Sequence, residues 1–182
     1  MPARTRIVAA TPADYPTIQR LAHAIWPPTF GDILTPAQIE YMLEMMYSVE
    51  SITEQVGRGI QFRLLLELDR FHPNVGYTGG ARTRYRPVGY VAYEHDYLPA
   101  TTKIHKLYVL PETQGNGYGR ALIDHVAGTL PGREQTRLQL DVNYQNRAVT
   151  FYEHLGFRKL KRHNTDIGNG YLMEDWVMAK DL

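Results

Sequence analysis

The residues with the clearest chemical potential form a glycine-rich turn, Gln-Gly-Asn-Gly-Tyr-Gly-Arg, at positions 114–120. An apolar strand is predicted to end at Pro111, and an amphipathic helix is predicted to begin directly after the turn. Glycines, which lack a Cβ, let an anion approach main-chain N–H groups closely, and the N-terminus of a helix favours negative charge. The pattern therefore predicts a phosphate-binding turn made of main chain.

Two common phosphate-binding turns do not fit the spacing. The dinucleotide fingerprint Gly-x-Gly-x-x-Gly/Ala places Arg120 or Leu122 at its last position, depending on the first glycine chosen. The sequence contains no Gly-x-x-x-x-Gly-Lys-Ser/Thr run of the mononucleotide type. A nucleotide-binding protein is therefore the less favoured alternative.

A second block follows at residues 138–157. Apolar residues alternate over 138–142 and predict a strand with one buried face. A short helix is predicted from Asn146, and Gly156 is placed to end it.

Together the two blocks resemble the GNAT (Gcn5-related) N-acetyltransferases. Gln114-x-x-Gly117-x-Gly119 is similar to that family's Gln/Arg-x-x-Gly-x-Gly/Ala signature. The run that begins at Asn146, Asn-x-x-Ala-x-x-Phe-Tyr-Glu-x-Leu-Gly-Phe, resembles the second half of the family's cofactor site. The resemblance extends over nearly the whole chain and implies acetyl-CoA as co-substrate, without a metal.

Periodicity and helix start signals predict an α/β chain. Strands are predicted at about 4–10, 61–68, 87–95, 103–110, 138–142, 157–162 and 172–179, and helices at about 11–25, 35–47, 49–57, from the glycine turn to 130, and 146–155. The segment Trp26–Phe30, which contains two prolines, is predicted to be a rigid turn. No linker marks a boundary, so one domain over 1–182 is expected. The resemblance implies the GNAT fold: a mixed, mostly antiparallel sheet, splayed between strands 4 and 5, with helices on both faces.

The resemblance also implies which residues bind coenzyme A. The main chain of the fourth strand would hold the pantetheine arm, and the glycine turn with the start of the second block would hold the diphosphate. The implied set is Leu107, Tyr108, Val109, Gln114, Gly115, Asn116, Gly117, Tyr118, Gly119, Arg120, Asn146 and Arg147. Asn146 could equally cap its helix, and the two arginines could be merely exposed.

Acetyl transfer to an amine requires a base and an acid. An amine with a pKa of about 10.4 must lose a proton before it attacks, and a leaving thiolate with a pKa near 8.5 should gain one. A phenol with a pKa of about 10 keeps its proton for that second task. The family's general acid is the tyrosine that corresponds to Tyr152, although a tyrosine on a buried helix face is also a common core residue.

His105 is the first candidate for the base. It lies on the fourth strand in phase with Leu107 and Val109, so strict alternation places these side chains on one face. A histidine pKa of about 6.5 suits proton transfer at neutral pH. Several GNAT enzymes carry a glutamate at or near this place, so Glu94 or Asp96 could act instead while His105 only lines the site.

The acceptor site is expected between the early helices, where Trp26, Phe30 and Asp32 lie, with Glu94 beside it. The N-terminal half resembles bacterial proteins similar to spermidine/spermine N-acetyltransferases, which implies a polyamine acceptor. Other primary amines, a peptide N-terminus or an amino acid remain alternatives. A module that binds or senses acetyl-CoA without turnover is the rival class.

Composition narrows these options. The chain has 182 residues, 43% of them hydrophobic, no cysteine and a net charge of +1, which gives no disulfide framework, no thiol nucleophile and no general case for nucleic-acid binding. Residues 21–57 carry five acidic and no basic residues, which leaves 20 basic against 14 acidic elsewhere. That separation could attract a cation to one side and coenzyme A to the other, or reflect a solvated helix face. We expect a cytoplasmic protein without a membrane partner, and a homodimer stays open.

Overall fold

The computed structural model describes residues 5–68, 85–132 and 134–182. Within them seven strands form one sheet in the order β1-β2-β3-β4-β5-β7-β6. The strands are β1 Thr5–Ala9, β2 Gln61–Leu68, β3 Tyr85–Leu98, β4 Thr101–Val109, β5 Arg137–Asn143, β6 Arg158–Asp166 and β7 Leu172–Asp181, and the helices are α1 Tyr15–Phe30, α2 Pro36–Tyr47, α3 Val49–Gly57, α4 Tyr118–Gly128 and α5 Ala148–His154. Most of the connection predicted between the second and third strands, which contains Gly79 and Gly80, lies outside these residues.

The sheet opens between its two central strands. All neighbouring strands are antiparallel except β4 and β5, which are parallel. Their pairing covers 101–104 against 137–140 and ends there, whereas β4 continues to Val109 and β5 to Asn143. The predicted mixed sheet with a splay between strands 4 and 5 is confirmed.

Helices cover both faces of the sheet, as predicted. Alternation along β2 explains how one sheet serves two cores. Leu64 and Leu66 pack with α1, α2 and α3, and this side is here named the α1 face. Leu65 packs with α4 and α5 on the opposite side, the α4 face. The two faces are therefore separate apolar cores that share the strands between them.

The sequence locates the starts of α2 and α3 well. Thr35 Oγ1 accepts a hydrogen bond from Gln38 N, and Ser48 Oγ accepts one from Ser51 N, so each helix has a side-chain N-cap. Both helices end where they were expected, at Tyr47 and at the end of α3. Local capping chemistry was sufficient at these places.

The predicted turn at Trp26–Phe30 is wrong, because α1 continues through this segment with Pro27 and Pro28 inside it. A proline removes the N–H that would bond to the carbonyl four residues earlier. Here those carbonyls belong to His23 and Ala24, which are exposed, so water can satisfy them. The two aromatic residues of the segment are buried one helical turn apart, which favours the helix.

The predicted alternation along β4 is also wrong, because the strand carries a bulge. Ala92 pairs with Lys106 while Tyr93 pairs with Ile104, which leaves His105 as the extra residue. Leu107 packs against the α4 face, as does Ile104, so the side chains change phase across His105. A bulge depends on the partner strand, and periodicity within one strand cannot reveal it.

Among the described residues, no helix has both the length and the apolar character needed to cross a membrane.

Candidate active site

A cavity of about 1100 Å³ passes through the seam between β4 and β5. Its walls include Val109 and Val142, which belong to the core of the α4 face. They also include Trp26 and Tyr47, which belong to the core of the α1 face. Because the wall draws on both cores, the cavity gives access to the seam from both sides of the sheet.

Most residues predicted from the sequence to form the site do line this cavity. Every one of them except Asn116 and Glu94 contributes to its wall. Glu94 instead lines a neighbouring cavity of about 380 Å³, and Asn116 lines neither of these two. His105 belongs to both walls and marks the place where the cavities meet.

The glycine turn presents main-chain donors to the cavity. Gly115 and Gly117 have φ values of +81° and +77°, in the left-handed region that favours glycine. Within the described residues, the amides of 115–120 donate no hydrogen bond, and Ala121 N is the first to donate, to Gly117 O at 3.0 Å. These N–H groups lie at the positive end of α4 and are available for an anion.

Gly119 has a different reason to be glycine. A Cβ at this position would lie 2.9 Å from Cζ of Phe151, so Gly119 allows α4 to pack closely against α5. Tyr118, the first residue of α4, is buried, and its hydroxyl donates to Glu67. Its side chain thus belongs to the core, and its main chain belongs to the turn.

The start of α5 completes this end of the cavity. Asn146 Oδ1 accepts a hydrogen bond from Ala148 N at 2.8 Å, just before α5, whose N-cap position is Arg147. The helix begins at Ala148, two residues later than predicted from the sequence. Arg120 and Arg147 are exposed at the cavity wall.

The edge of β4 that faces β5 is unpaired beyond Ile104. Leu110 N donates to Val88 O of β3 at 2.8 Å. Because N–H groups alternate in direction along an antiparallel strand, Val109 N is directed away from β3, into the seam. A main-chain donor therefore points to the opening between β4 and β5.

Tyr152 is placed on α5 with its ring buried against Phe151 and Phe157. Burial raises the pKa of its phenol well above the ordinary value of 10. Its hydroxyl has no hydrogen-bond partner among the described residues, and the residue lines the cavity. The geometry yields a phenol that keeps its proton beside the open seam.

His105 and Glu94, which the sequence offered as alternative bases, form one pair. His105 Nε2 lies 2.8 Å from Glu94 Oε2. Burial lowers the pKa of His105, and the hydrogen bond to Glu94 opposes that shift in part. Asp96 does not join them, because its Oδ1 accepts a hydrogen bond from Gln135 and it lines neither cavity. A largely neutral imidazole oriented by a carboxylate results.

Aromatic side chains form the wall on the α1 face. Trp26 lies with its ring centroid 4.7 Å from Phe30 and 5.9 Å from Tyr108. Asp32 is exposed at the cavity mouth.

Two acidic residues of this wall were missed by sequence reasoning. Asp141 on β5 and Asp175 on β7 line the cavity on the α1 face. Asp141 Oδ2 pairs with Lys103 Nζ at 2.7 Å. Alternation against the buried Leu140 and Val142 could have indicated the direction of Asp141, but nothing in the sequence places β7 beside β5.

Lys106 was missed as well. It lines both cavities, and its Nζ donates to Gln55 Oε1. Burial, with a contribution from Arg58, lowers its pKa to about 8. No group of three or more metal-ligating side chains is arranged to hold a metal ion within residues 5–68, 85–132 and 134–182.

Comparison with known proteins identifies the family. Residues 39–157 match the model of the acetyltransferase (GNAT) family, which is more than half of the chain. The chain belongs to the GNAT family. The glycine turn, the start of α5 and the seam all lie in the matched GNAT region or border it.

Individual relatives agree with this membership. The peptidyl-lysine N-acetyltransferase YjaB of Salmonella typhimurium is 32% identical over 87 residues, which cover 47% of this chain. The match spans 52% of that protein, so the chain covers about half the length of this curated relative.

Solved structures share the GNAT fold over nearly the whole chain. The PaiA N-acetyltransferase of Thermoplasma acidophilum in complex with coenzyme A has a TM-score of 0.73 at 20% identity, covering 98% of this chain and 99% of that one. A chimera of the Vibrio cholerae spermidine N-acetyltransferase SpeG and hSSAT has a TM-score of 0.63 at 16% identity, covering 98% and 96%. At 20% and 16% identity, the similarity to these structures shows a shared fold alone.

Proposed function

We propose that this chain transfers an acetyl group from acetyl-CoA to a primary amine by direct attack in a ternary complex. The observation that carries the proposal is the meeting, in one cavity, of free main-chain donors at 115–120, an unpaired edge of β4 and the buried phenol of Tyr152. Family membership supports the same reaction class.

The residues around the seam fit coenzyme A. Its diphosphate would accept hydrogen bonds from the amides of the glycine turn, with Arg120 and Arg147 adding charge. Its pantetheine arm would pair with the unpaired edge of Leu107–Val109, as an added strand pairs with a sheet edge. The thioester would then lie in the seam between the two cores.

The protein groups supply each proton transfer that the reaction needs. His105, held by Glu94, accepts a proton from the ammonium group of the acceptor. The free amine attacks the thioester carbonyl, and a C–N bond forms. The main-chain N–H of Val109 donates a hydrogen bond to the carbonyl oxygen as negative charge develops on it. The C–S bond breaks, and Tyr152 donates its proton to the departing thiolate. The attached nitrogen, which still carries one proton more than the amide product, loses it to the Tyr152 phenolate, and His105 releases its proton to solvent.

The acceptor that we favour is a polyamine. The aromatic wall of Trp26 and Phe30, with Asp32 at the mouth, suits an alkyl chain that carries ammonium groups. The comparison proteins are named for spermidine in one case and peptidyl-lysine in the other, and both offer a primary amine. A cytoplasmic location and a homodimer stay predictions.

Thiol release from acetyl-CoA with a panel of primary amines tests the proposal. We expect amine-dependent release in the wild type and a kcat lower by roughly 10²-fold in Tyr152→Phe, the usual contribution of a general acid. Tyr144→Phe is the matched control, because Tyr144 is a tyrosine of the preceding turn that does not line the cavity. No thiol release with any amine would favour the coenzyme sensor. Equal rates in the wild type and in Tyr152→Phe would exclude Tyr152 as the acid.

A further inference from the structure

One buried carboxylate in the cavity has no cation in contact with it among the described residues. Asp175 is 8% exposed and lines the cavity wall on β7. Within the described residues its carboxylate accepts no hydrogen bond and forms no ion pair within 4.0 Å. A buried carboxylate without a partner is costly, so native proteins rarely leave one without a ligand or another role.

Its acidic neighbour is already neutralised. Asp141 Oδ2 binds Lys103 Nζ at 2.7 Å, while its Oδ1 is buried and has no partner among the described residues. Of the two carboxylates, Lys103 contacts only that of Asp141. Both Lys103 and Arg162 act on Asp175 from beyond ion-pair distance, so no cation touches Asp175 among the described residues. Burial and, to a smaller extent, the charge of Asp141 raise the pKa of Asp175 to about 6, so the carboxylate is still ionised at neutral pH.

The surroundings of Asp175 suit an organic cation. Met173, two residues earlier on the same face of β7, packs against the core of the α1 face and lines the cavity. Tyr108 interacts electrostatically with both Asp175 and Tyr152, which places Asp175 near the proposed reaction centre. Trp26 stacks near Tyr108 and adds an aromatic surface that attracts cations.

We propose that Asp175 binds a second cationic group of the acceptor, so that the preferred acceptors are diamines and longer polyamines. This inference rests on the proposed acetyl transfer to an amine. Asp175 does not suit the reacting nitrogen, because a carboxylate in contact stabilises the protonated form, which cannot attack. The reacting amine belongs at His105, where a largely neutral imidazole accepts the proton.

A matched pair of acceptors tests the assignment. Diaminobutane and butylamine have the same carbon chain and differ by one terminal ammonium group. We expect wild-type protein to prefer the diamine in kcat/KM. Asp175→Asn should lower kcat/KM for diaminobutane by roughly 10- to 100-fold, as expected when a hydrogen bond to a charged group is lost, and leave butylamine nearly unchanged.

Controls separate charge from folding. Glu174→Gln removes the adjacent carboxylate, which is half-buried and does not line the cavity, and it should keep the wild-type preference. Asp175→Ser, a smaller neutral replacement, should lose the preference as Asp175→Asn does, and thermal unfolding checks that each variant is folded. An unchanged ratio of diamine to monoamine in both Asp175 variants would overturn the inference.

Binding distinguishes this failure from failure of the proposed function. Calorimetric titration of diaminobutane into protein saturated with coenzyme A requires no turnover. Affinity lowered by roughly 10- to 100-fold in Asp175→Asn supports the anchor even if no amine is acetylated, in which case only the transfer proposal fails. Equal affinity in wild type and Asp175→Asn contradicts the anchor even if transfer is rapid.

Discussion

Burial determines the protonation of the two side chains proposed to move protons. It raises the pKa of Tyr152 and lowers the pKa of His105, because in both cases an apolar environment disfavours the charged form. The phenol therefore keeps its proton, and the imidazole stays free to accept one. One physical effect, acting on an acid and on a base, assigns both roles.

Glu94 acts against burial at His105, and this gives a pH prediction. The hydrogen bond to Glu94 raises the pKa of His105 toward its ordinary value of 6.5. With saturating amine, kcat should rise with pH as His105 loses its proton, with a midpoint below 6.5. Glu94→Gln removes the carboxylate that stabilises the protonated ring, so the midpoint should move to lower pH.

The control for this profile is His105→Gln. It should remove the acid limb and lower kcat by roughly 10²-fold, the usual share of a general base. His23→Gln, at an exposed histidine of α1, should retain the wild-type profile. A limb that stays in place in His105→Gln would assign the base to another group.

At the scale of elements, two irregularities of β4 coincide. The bulge at His105 begins where the pairing with β5 ends, after Ile104. The bulge directs Lys106 and Tyr108 to the α1 face and Leu107 to the α4 face along the open edge. A regular strand at this place would exchange the two sets of side chains.

The contact between α4 and α5 gives the second prediction. Gly119→Ala would place a Cβ 2.9 Å from Phe151 Cζ. The overpacking costs ~1–3 kcal/mol, and alanine regains ~1 kcal/mol because it is a better helix former than glycine. The net effect should be a free energy of unfolding that is lower by ~1 kcal/mol. Coenzyme A affinity should fall too, because the first turn of α4 carries the free amides.

Two comparisons isolate that contact. Gly128→Ala, at the other end of α4 where nothing lies within 4 Å, should be neutral or stabilise by up to ~1 kcal/mol. In a Phe151→Leu background the ring is absent, so Gly119→Ala should cost nothing in urea denaturation. A cost that persists there would mean that Phe151 is not the limiting neighbour.

How far the sequence predicts this site depends on how local each signal is. The caps Thr35 and Ser48 act within three residues, and both helix starts were predicted. The helix through Pro27 and Pro28 depends on which side of α1 faces solvent, which requires the tertiary structure. Asp175 becomes significant only because β7 lies beside β5, which brings its carboxylate to the cavity wall near Asp141. Nothing in the sequence near Asp175 encodes that strand pairing.

At the scale of the molecule, the seam joins two otherwise separate cores. The helices α1–α3 and the helices α4 and α5 pack on opposite faces, and β4 and β5 share only four residue pairs. The acidic segment 21–57 forms most of α1, with α2 and α3, whereas Arg120 and Arg147 lie at the opposite end of the cavity. Charge is thus divided between the acidic helices of the α1 face and a basic wall at the starts of α4 and α5, and the proposed function assigns the acceptor to the first and coenzyme A to the second.

A ligand that fills the seam should stabilise the whole molecule, because it contacts the open edges that the sheet leaves unpaired. At 100 times its Kd, a ligand that binds only the folded state contributes ~2.7 kcal/mol. For a chain of this length each kcal/mol corresponds to a Tm change of roughly 2–4 °C, so coenzyme A should raise Tm by roughly 5–10 °C. NAD and ATP at the same concentration should give little or no shift, since the turn lacks the spacing of either nucleotide-binding loop.

Two arginine variants make this measurement specific to the proposed site. Arg120 lies at the cavity wall beside the free amides, so Arg120→Ala should reduce the shift in Tm produced by coenzyme A. Arg158 is exposed on β6, where it pairs with Asp181, and Arg158→Ala should keep the full shift relative to its own unliganded Tm. An undiminished shift in Arg120→Ala would place the diphosphate elsewhere, because the charge at the start of α4 would then contribute nothing to binding. A shift in Tm with NAD as large as that with coenzyme A would also contradict the proposed site.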